Sequence, residues 1–495
     1  MIMYPEHYNR KNVNSLQSKL FGHRLKPSQT KYEYLIEFLQ VAIAPKKIVG
    51  EQTFQAMFPV TPEVKAKNLT YSPQTRIGLK RFIFMPKSKL DGKAEVDKIA
   101  YQKCIAELER NIQGGNSAAK RHSLMLIQNL LSGFSVVNQN RSWFDQNLFP
   151  ICPEVVLPEG MGVKRVRQGM KFSMDDVRVD YAFDYHRYTY MCRGGEIYYL
   201  HLLNAINEYP QYQNTIEALL GKMLNSFPQF SFLCDFIQGC WDGYMLIPDE
   251  ERKPLYKDLG AIPLSFSQRN EYTLTELENF LRSKSHPLEK MKTLANGIIL
   301  QMLRMMYLAA STEKEQNCWI LDINYPGFDN SETRKVAAAA FRHNEEVISQ
   351  YLYRGFTELY EELTEKDEQK AIKSAADDSY RLFRKMGKMI GFVIPTTGAN
   401  MRFSLSEDTI KFLVLSIIPP KKMVTLDDFV DLLYKHYGMV IGPEQCSEVL
   451  SGDSSFLNEN LKAFAQKLKD CGFLRDLSDA TAIVENPYES EIVQP

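Results

Sequence analysis

The stretch from Asp176 to Pro210, DVRVDYAFDYHRYTYMCRGGEIYYLHLLNAINEYP, constrains the fold more than any other part of the chain. Val177, Val179, Tyr181, Phe183 and Tyr185 share one parity, and Asp176, Arg178, Asp180 and Asp184 share the other. A period of two is the pattern of a strand with one buried face. Tyr188 and Tyr190 fall on the polar parity, so the pattern slips and predicts a bulge or turn near His186. Gly194-Gly195 then breaks the chain, Glu196 opens a helix, and Pro210 must end it. Ile197, Tyr198, Tyr199, Leu200, Leu202, Leu203, Ala205 and Ile206 leave that helix no wet face, which predicts burial. Strand, glycine break and core helix are therefore the expected centre of the molecule.

At 495 residues the chain has room for several domains. No run of apolar residues is long enough to span a bilayer, and the first residues, MIMYPEHYNRKN, lack the apolar core of a signal peptide. The eight cysteines are scattered without a CxxC pair, the pattern of reduced thiols, so the expected compartment is the cytoplasm. Net charge is zero but uneven: residues 1–110 hold 19 Lys and Arg against 10 Asp and Glu. A basic first quarter on a neutral chain points to phosphates or an acidic partner.

The expected fold class is mainly α with small β elements, in several helical domains. Residues 1–135 read as a basic N-terminal helical domain with short strands. Thr30 and Glu33 form a capping box before a helix that Pro45 stops. The apolar-basic run Lys80 to Met85 reads as a strand with a basic edge, and helices are expected over 94–112 and 117–132. Residues 136–330 read as a central α+β core domain. It begins in a loop-like region with a second basic cluster, Lys164, Arg165, Arg167 and Lys171. Helices are expected over 214–227 and 229–241, from Thr273 to about Ser283, and from Pro287 to Ala310. Cys318 to Tyr325 reads as a short apolar strand or buried turn. Residues 331–403 form a heavily charged segment, read as helices over 332–346, 347–365 and 367–388 that suit a bundle or a partner-binding arm.

Residues 404–495 read as a separate domain. Ser406 to Ile417 is a helix that Pro419-Pro420 ends, followed by a short strand through Val424. Thr425 caps a helix that Gly438 ends. A short helix at Gly442-Pro443-Glu444 and a longer one over Asn458 to Asp470 precede two strands flanking Ser478-Asp479-Ala480. This order resembles a winged helix, which commonly puts its last helix in the DNA major groove. Here Lys462, Lys467 and Lys469 share that helix with Glu459 and Asp470, and Arg475 faces Asp476 and Asp479 in the wing. That mixture favours protein contact over base reading.

Chemistry is harder to find. There is no GxxxxGK[ST], no GxGxxG after a strand, no HExxH, GxSxG or HRD, and no EF-hand spacing. Glu63-Val64-Lys65 and Glu368-Gln369-Lys370 lack the context of a metal nuclease. Asp180 and Asp184 share a strand face but stand roughly 13 Å apart, too far to hold one ion unaided. His186, Arg193 and Glu196 gather at the glycine break, where a helix N-terminus can receive an anion. The bland reading is that Arg193 pairs with a neighbouring carboxylate and the tyrosines are core. No cofactor is expected.

The phrase RGGEIYYLHL, Arg193 to Leu202, together with the winged-helix-like ending, resembles accessory subunits of bacterial multi-gene anti-phage and DNA-restriction systems, such as phosphorothioation-dependent restriction. The resemblance implies a non-catalytic scaffold or DNA-binding subunit beside a motor ATPase or nuclease. Lys80, Arg81, Lys164, Arg165, Arg167 and Lys171 would then touch DNA, and the acidic C-terminal half would hold partners. Two alternatives stand beside it. One is an enzyme with a site assembled around Asp180, Asp184, His186 and Arg193. The other is a bridging, kleisin-like subunit of an SMC-like ATPase.

Overall fold

The computed structural model describes residues 3–5, 16–23, 29–48, 53–61, 64, 69–85, 95–137, 147–162, 183–188, 193–245, 254–311, 318–328, 331–359, 365–447, 453–478 and 481–492. The fold is mainly helical, with short and mostly antiparallel sheets of two to four strands.

At its centre is the helix Gly194–Glu208, in which every residue from Gly194 to Asn207 is buried. The glycine break explains how it packs. A β-carbon on Gly195 would lie 2.3 Å from the Phe38 amide nitrogen and 2.4 Å from the Tyr34 carbonyl oxygen. A β-carbon on Gly194 would enter the Tyr34 ring. Only hydrogen at both positions lets the Lys31–Ile43 helix cross this closely. Phe38 meets Tyr198 edge to face at 5.1 Å, and Phe58 stacks on Tyr199 at 5.2 Å. Gly195→Ala presses on backbone, which cannot rotate away, and is expected to lower stability by about 3 kcal/mol. Chemical denaturation checks this. Gly221→Ala is the control, because nothing lies within 4 Å of its added methyl, and it should be neutral or slightly stabilising.

The strand before the break is described over Phe183–Tyr188, paired antiparallel with Gly160–Gly162. Met161 faces Asp184 while Gly160 faces Tyr188, so the register slips across His186, where the side-chain parity slips in the sequence. Residues 176–182 lie outside the described residues.

Two larger cores are present. The main one runs from Tyr4 to Tyr71, through the central helix, and on to Val484. The second draws on residues 77–155, Phe183 and residues 234–241. Its centre corrects one expectation: Gly78–Phe84 is a helix, not a strand. In a run this short, Leu79, Phe82 and Ile83 satisfy the helical spacing as well as Phe82 and Phe84 satisfy alternation.

The charged segment also differs from its expectation. Ser331–Leu359 is one continuous helix, followed by Glu365–Arg381 and a π-helical turn, Leu382–Met386. No proline interrupts residues 331–359. Ala337, Phe341, Ile348, Leu352 and Phe356 are buried along the long helix, so it lies on the main core and does not project as an arm. Asn344, in the middle of that helix, is fully buried and accepts the Trp319 indole N–H at 3.1 Å.

The C-terminal elements follow the sequence closely. Ser406 caps Glu407–Ile417 by accepting from the Thr409 amide, and Thr425 caps Leu426–Tyr437 by accepting from the Asp428 amide. Gly438, at φ 64, ends the second of these helices. Asn458–Asp470 is followed by the hairpin Leu474–Ser478 and Thr481–Glu485. Met423–Thr425 pairs with the second hairpin strand and completes a three-stranded sheet. Within this unit Phe429 stacks on Phe464, and its buried side chains are continuous with the main core. Phe412 packs on Gly297 and Phe280, and Trp319–Ile320 pairs in parallel with Met439–Val440.

Candidate functional site

The glycine break is the first place to look for a site. Arg193, in the left-handed conformation at φ 58, caps the central helix. The amides of Arg193 and Gly195 point where an anion would sit, and that position is filled. Glu37 Oε1 accepts from the Arg193 amide at 2.7 Å, and its Oε2 accepts from the Gly195 amide at 2.8 Å. A carboxyl group from the neighbouring helix thus occupies the position an anion would take. Arg193 Nε donates to Glu196 at 2.7 Å, its Nη2 donates to the Asp258 carbonyl at 3.0 Å, and the Tyr71 hydroxyl donates to Glu196 at 2.6 Å. Burial, and then the adjacent Glu196 charge, push the Glu37 carboxyl above its ordinary range, against the two amides and Arg193. The Glu196 carboxylate in turn holds Arg193 protonated.

Arg193 and Glu196 are therefore brought together as an ion pair. Asp184 and His186 are placed only as backbone positions in the strand Phe183–Tyr188, and Asp180 lies outside the described residues. Among the described residues, no group of three His, Cys, Asp or Glu side chains is set to hold a metal.

The basic candidates are resolved unevenly. Lys80 is fully buried and donates to the equally buried Asn147 at 3.0 Å. Arg81 is 7% exposed, and its guanidinium lies 4.6 Å from the centre of the Phe183 ring. Neither charge faces solvent, so the expectation that this pair touches phosphates is corrected. Lys164, Arg165, Arg167 and Lys171 lie outside the described residues.

Sequence reasoning missed a densely connected buried polar cluster around Glu276. Glu276, fully buried, receives Arg269 Nη2 at 2.9 Å, His436 Nδ1 at 2.7 Å and the Tyr437 hydroxyl at 2.6 Å. Gln301 bridges Arg269, Glu276 and Tyr437. The Arg269 and His436 charges hold Glu276 below the usual carboxylate range despite its burial. The partners lie 7 to 161 residues away in sequence, so no motif could mark them. The cluster ties the C-terminal unit to the helices Asn270–Arg282 and Pro287–Ala310.

A cleft of about 290 Å³ is lined by Ile43, Ala44, Pro45, Arg76, Glu154 and Leu157, among others, and contains none of the residues expected from sequence. On the C-terminal unit, basic groups are largely neutralised. Lys462 pairs with Glu459 at 2.7 Å, Lys469 with Asp476 at 2.5 Å, and Arg475 with Glu485 at 2.5 Å. Lys467 donates to the Leu405 carbonyl.

The molecule is thus a helical body carrying a compact helix-and-hairpin unit at its C-terminal end. Residues 404–488, which make up that unit, match the family described as methylation-associated defense system protein MAD7. The match supports a component of a defence system. No curated protein and no solved structure matches the chain. No described helix is long and apolar enough to cross a membrane.

Proposed function

We propose that this chain is a non-catalytic interaction subunit of an anti-phage defence complex, working beside a partner ATPase or nuclease. The observation that carries this reading is the defence-family match over residues 404–488. We propose further that this unit is a winged helix turned toward protein contact. Its element order, and a sheet in which the strand Thr481–Glu485 lies between Met423–Thr425 and Leu474–Ser478, support that fold. The ion pairs on its last helix and wing support protein contact, because a duplex would have to break each of them to gain a phosphate contact. The mutual satisfaction of Arg193, Glu196 and Glu37 supports a structural joint at the glycine break in place of a reaction centre. Direct DNA contact is assigned to Lys164, Arg165, Arg167 and Lys171. Reversing all four charges should weaken salt-dependent DNA binding by the complex.

The functional test is made in the native host. Removing the chain should abolish protection against phage, and restoring it should return protection. Undiminished protection without the chain would contradict the reading.

A further inference from the structure

We infer that the solvent face of the C-terminal sheet is a docking surface for an acidic and apolar segment of a partner protein, an inference that rests on the interaction-subunit reading above. Strand pairing sets Val424 against Val484, and Val484 against Leu474. Val484 and Leu474 are buried, so this row faces the helices. By alternation, Met423, Thr425, Ile483, Glu485 and Arg475 share the opposite face. Leu477 extends it at the bulge between Asp476 and Ser478. Met423 is 57% exposed and Leu477 63% exposed, with the half-buried Ile483 between them. Large apolar side chains this exposed, aligned across one sheet face, form an unpartnered stripe.

The charge on this face selects the occupant. Arg475 and Glu485 neutralise each other at 2.5 Å. At the Met423 end the uncompensated charge comes from Lys421 and Lys422, which are exposed and make no ion pair among the described residues. Their turn is built into the fold. Lys421, at φ 60, donates its amide to the Asn486 carbonyl, and the Asn486 amide donates to the Lys422 carbonyl, both at 3.0 Å. Asn486 is itself anchored by hydrogen bonds from its side chain to Ser283 and the Ile418 carbonyl. Both lysines are therefore held beside the Met423 end of the stripe. Asp427 and Asp428 are exposed beyond Thr425, past the other end of the same strand. A docked segment would place its carboxylates at Lys421 and Lys422 and run its apolar side chains over Met423 and Ile483 toward Leu477. Aspartates at the far end disfavour a phosphate backbone, which carries charge along its whole length.

The test uses the full-length tagged chain expressed in its native host. Two variants are compared with the parent chain: Lys421→Glu with Lys422→Glu, and Leu477→Asp. All of these positions are exposed, and unchanged melting temperatures establish that the variants fold. A photo-crosslinker at position 423 identifies the segment that docks. Support is a partner that co-purifies with the parent chain, is lost with both variants, is crosslinked through an acidic and apolar segment, and returns to the lysine-reversed variant when that segment's carboxylates are changed to lysine. Retention of the partner by both variants overturns the docking surface and leaves the interaction-subunit reading standing. Loss of duplex DNA binding in place of protein binding also overturns it. A parent chain that brings down no partner overturns both.

Discussion

Replacing Glu276 by alanine is expected to lower the unfolding free energy by about 3–5 kcal/mol, the usual result of removing one partner from a buried ion pair. The size follows from what remains. Arg269 would stay almost completely buried without its carboxylate, and His436, Tyr437 and Gln301 would each lose an acceptor or a bridge. The double variant Arg269→Met with Glu276→Leu should lose much less than the sum of the two single changes, because no orphaned charge is left behind. Urea titration of the parent, Glu276→Ala, Arg269→Met, Glu276→Leu and the double variant measures both effects. The loss should be a single transition that carries the C-terminal unit with it, since that unit's Tyr437 and His436 end on a carboxylate belonging to the body. A variant in which only residues beyond 404 unfold would show that the shared core is not cooperative.

Acidification supplies the second large effect. His23 and His201 are buried, and burial lowers their imidazoles to about 4 and about 3. In the unfolded chain each would titrate near its ordinary 6.5. Between those values the unfolded state holds a proton that the native state refuses. The stability is therefore fully present above pH 6.5 and is lost as pH falls toward 4. From pH 7 to 5 each histidine should cost about 2 kcal/mol. Glu37, whose carboxyl is pushed upward, works in the opposite direction and offsets part of the slope. His201→Gln removes one titrating group, and glutamine can still reach the Thr273 hydroxyl that His201 meets at 2.9 Å. The pH dependence of its unfolding free energy between pH 5 and 6 should be shallower than the parent's by about one proton. Parallel slopes would mean that His201 already carries a proton in the native state.

What the sequence made legible was local. Caps and glycines marked the C-terminal helices because each signal acts within one turn: Thr425 with Asp428, Ser406 with Thr409, Gly438 at its left-handed position. The glycine break and the apolar helix after it were legible for the same reason. What the break receives was not, because Glu37 comes from more than 150 residues earlier in the chain. The Lys80 to Met85 run was misread because six residues fit both periods, and because nothing local says that Asn147 will accept a lysine inside a core. The unit at residue 404 looked separable because its caps are crisp. Its apolar faces, at Phe412 and Met439, are completed by helices and a strand from the body.

On the proposed role, this chain works by holding another protein. The most direct measurement is to purify the tagged chain from its native host, digest nucleic acid with nuclease, and determine the mass and composition of what remains. The expected result is a companion in fixed stoichiometry that carries ATPase or nuclease chemistry and survives digestion. A lone chain, or a companion released with the DNA, would contradict it.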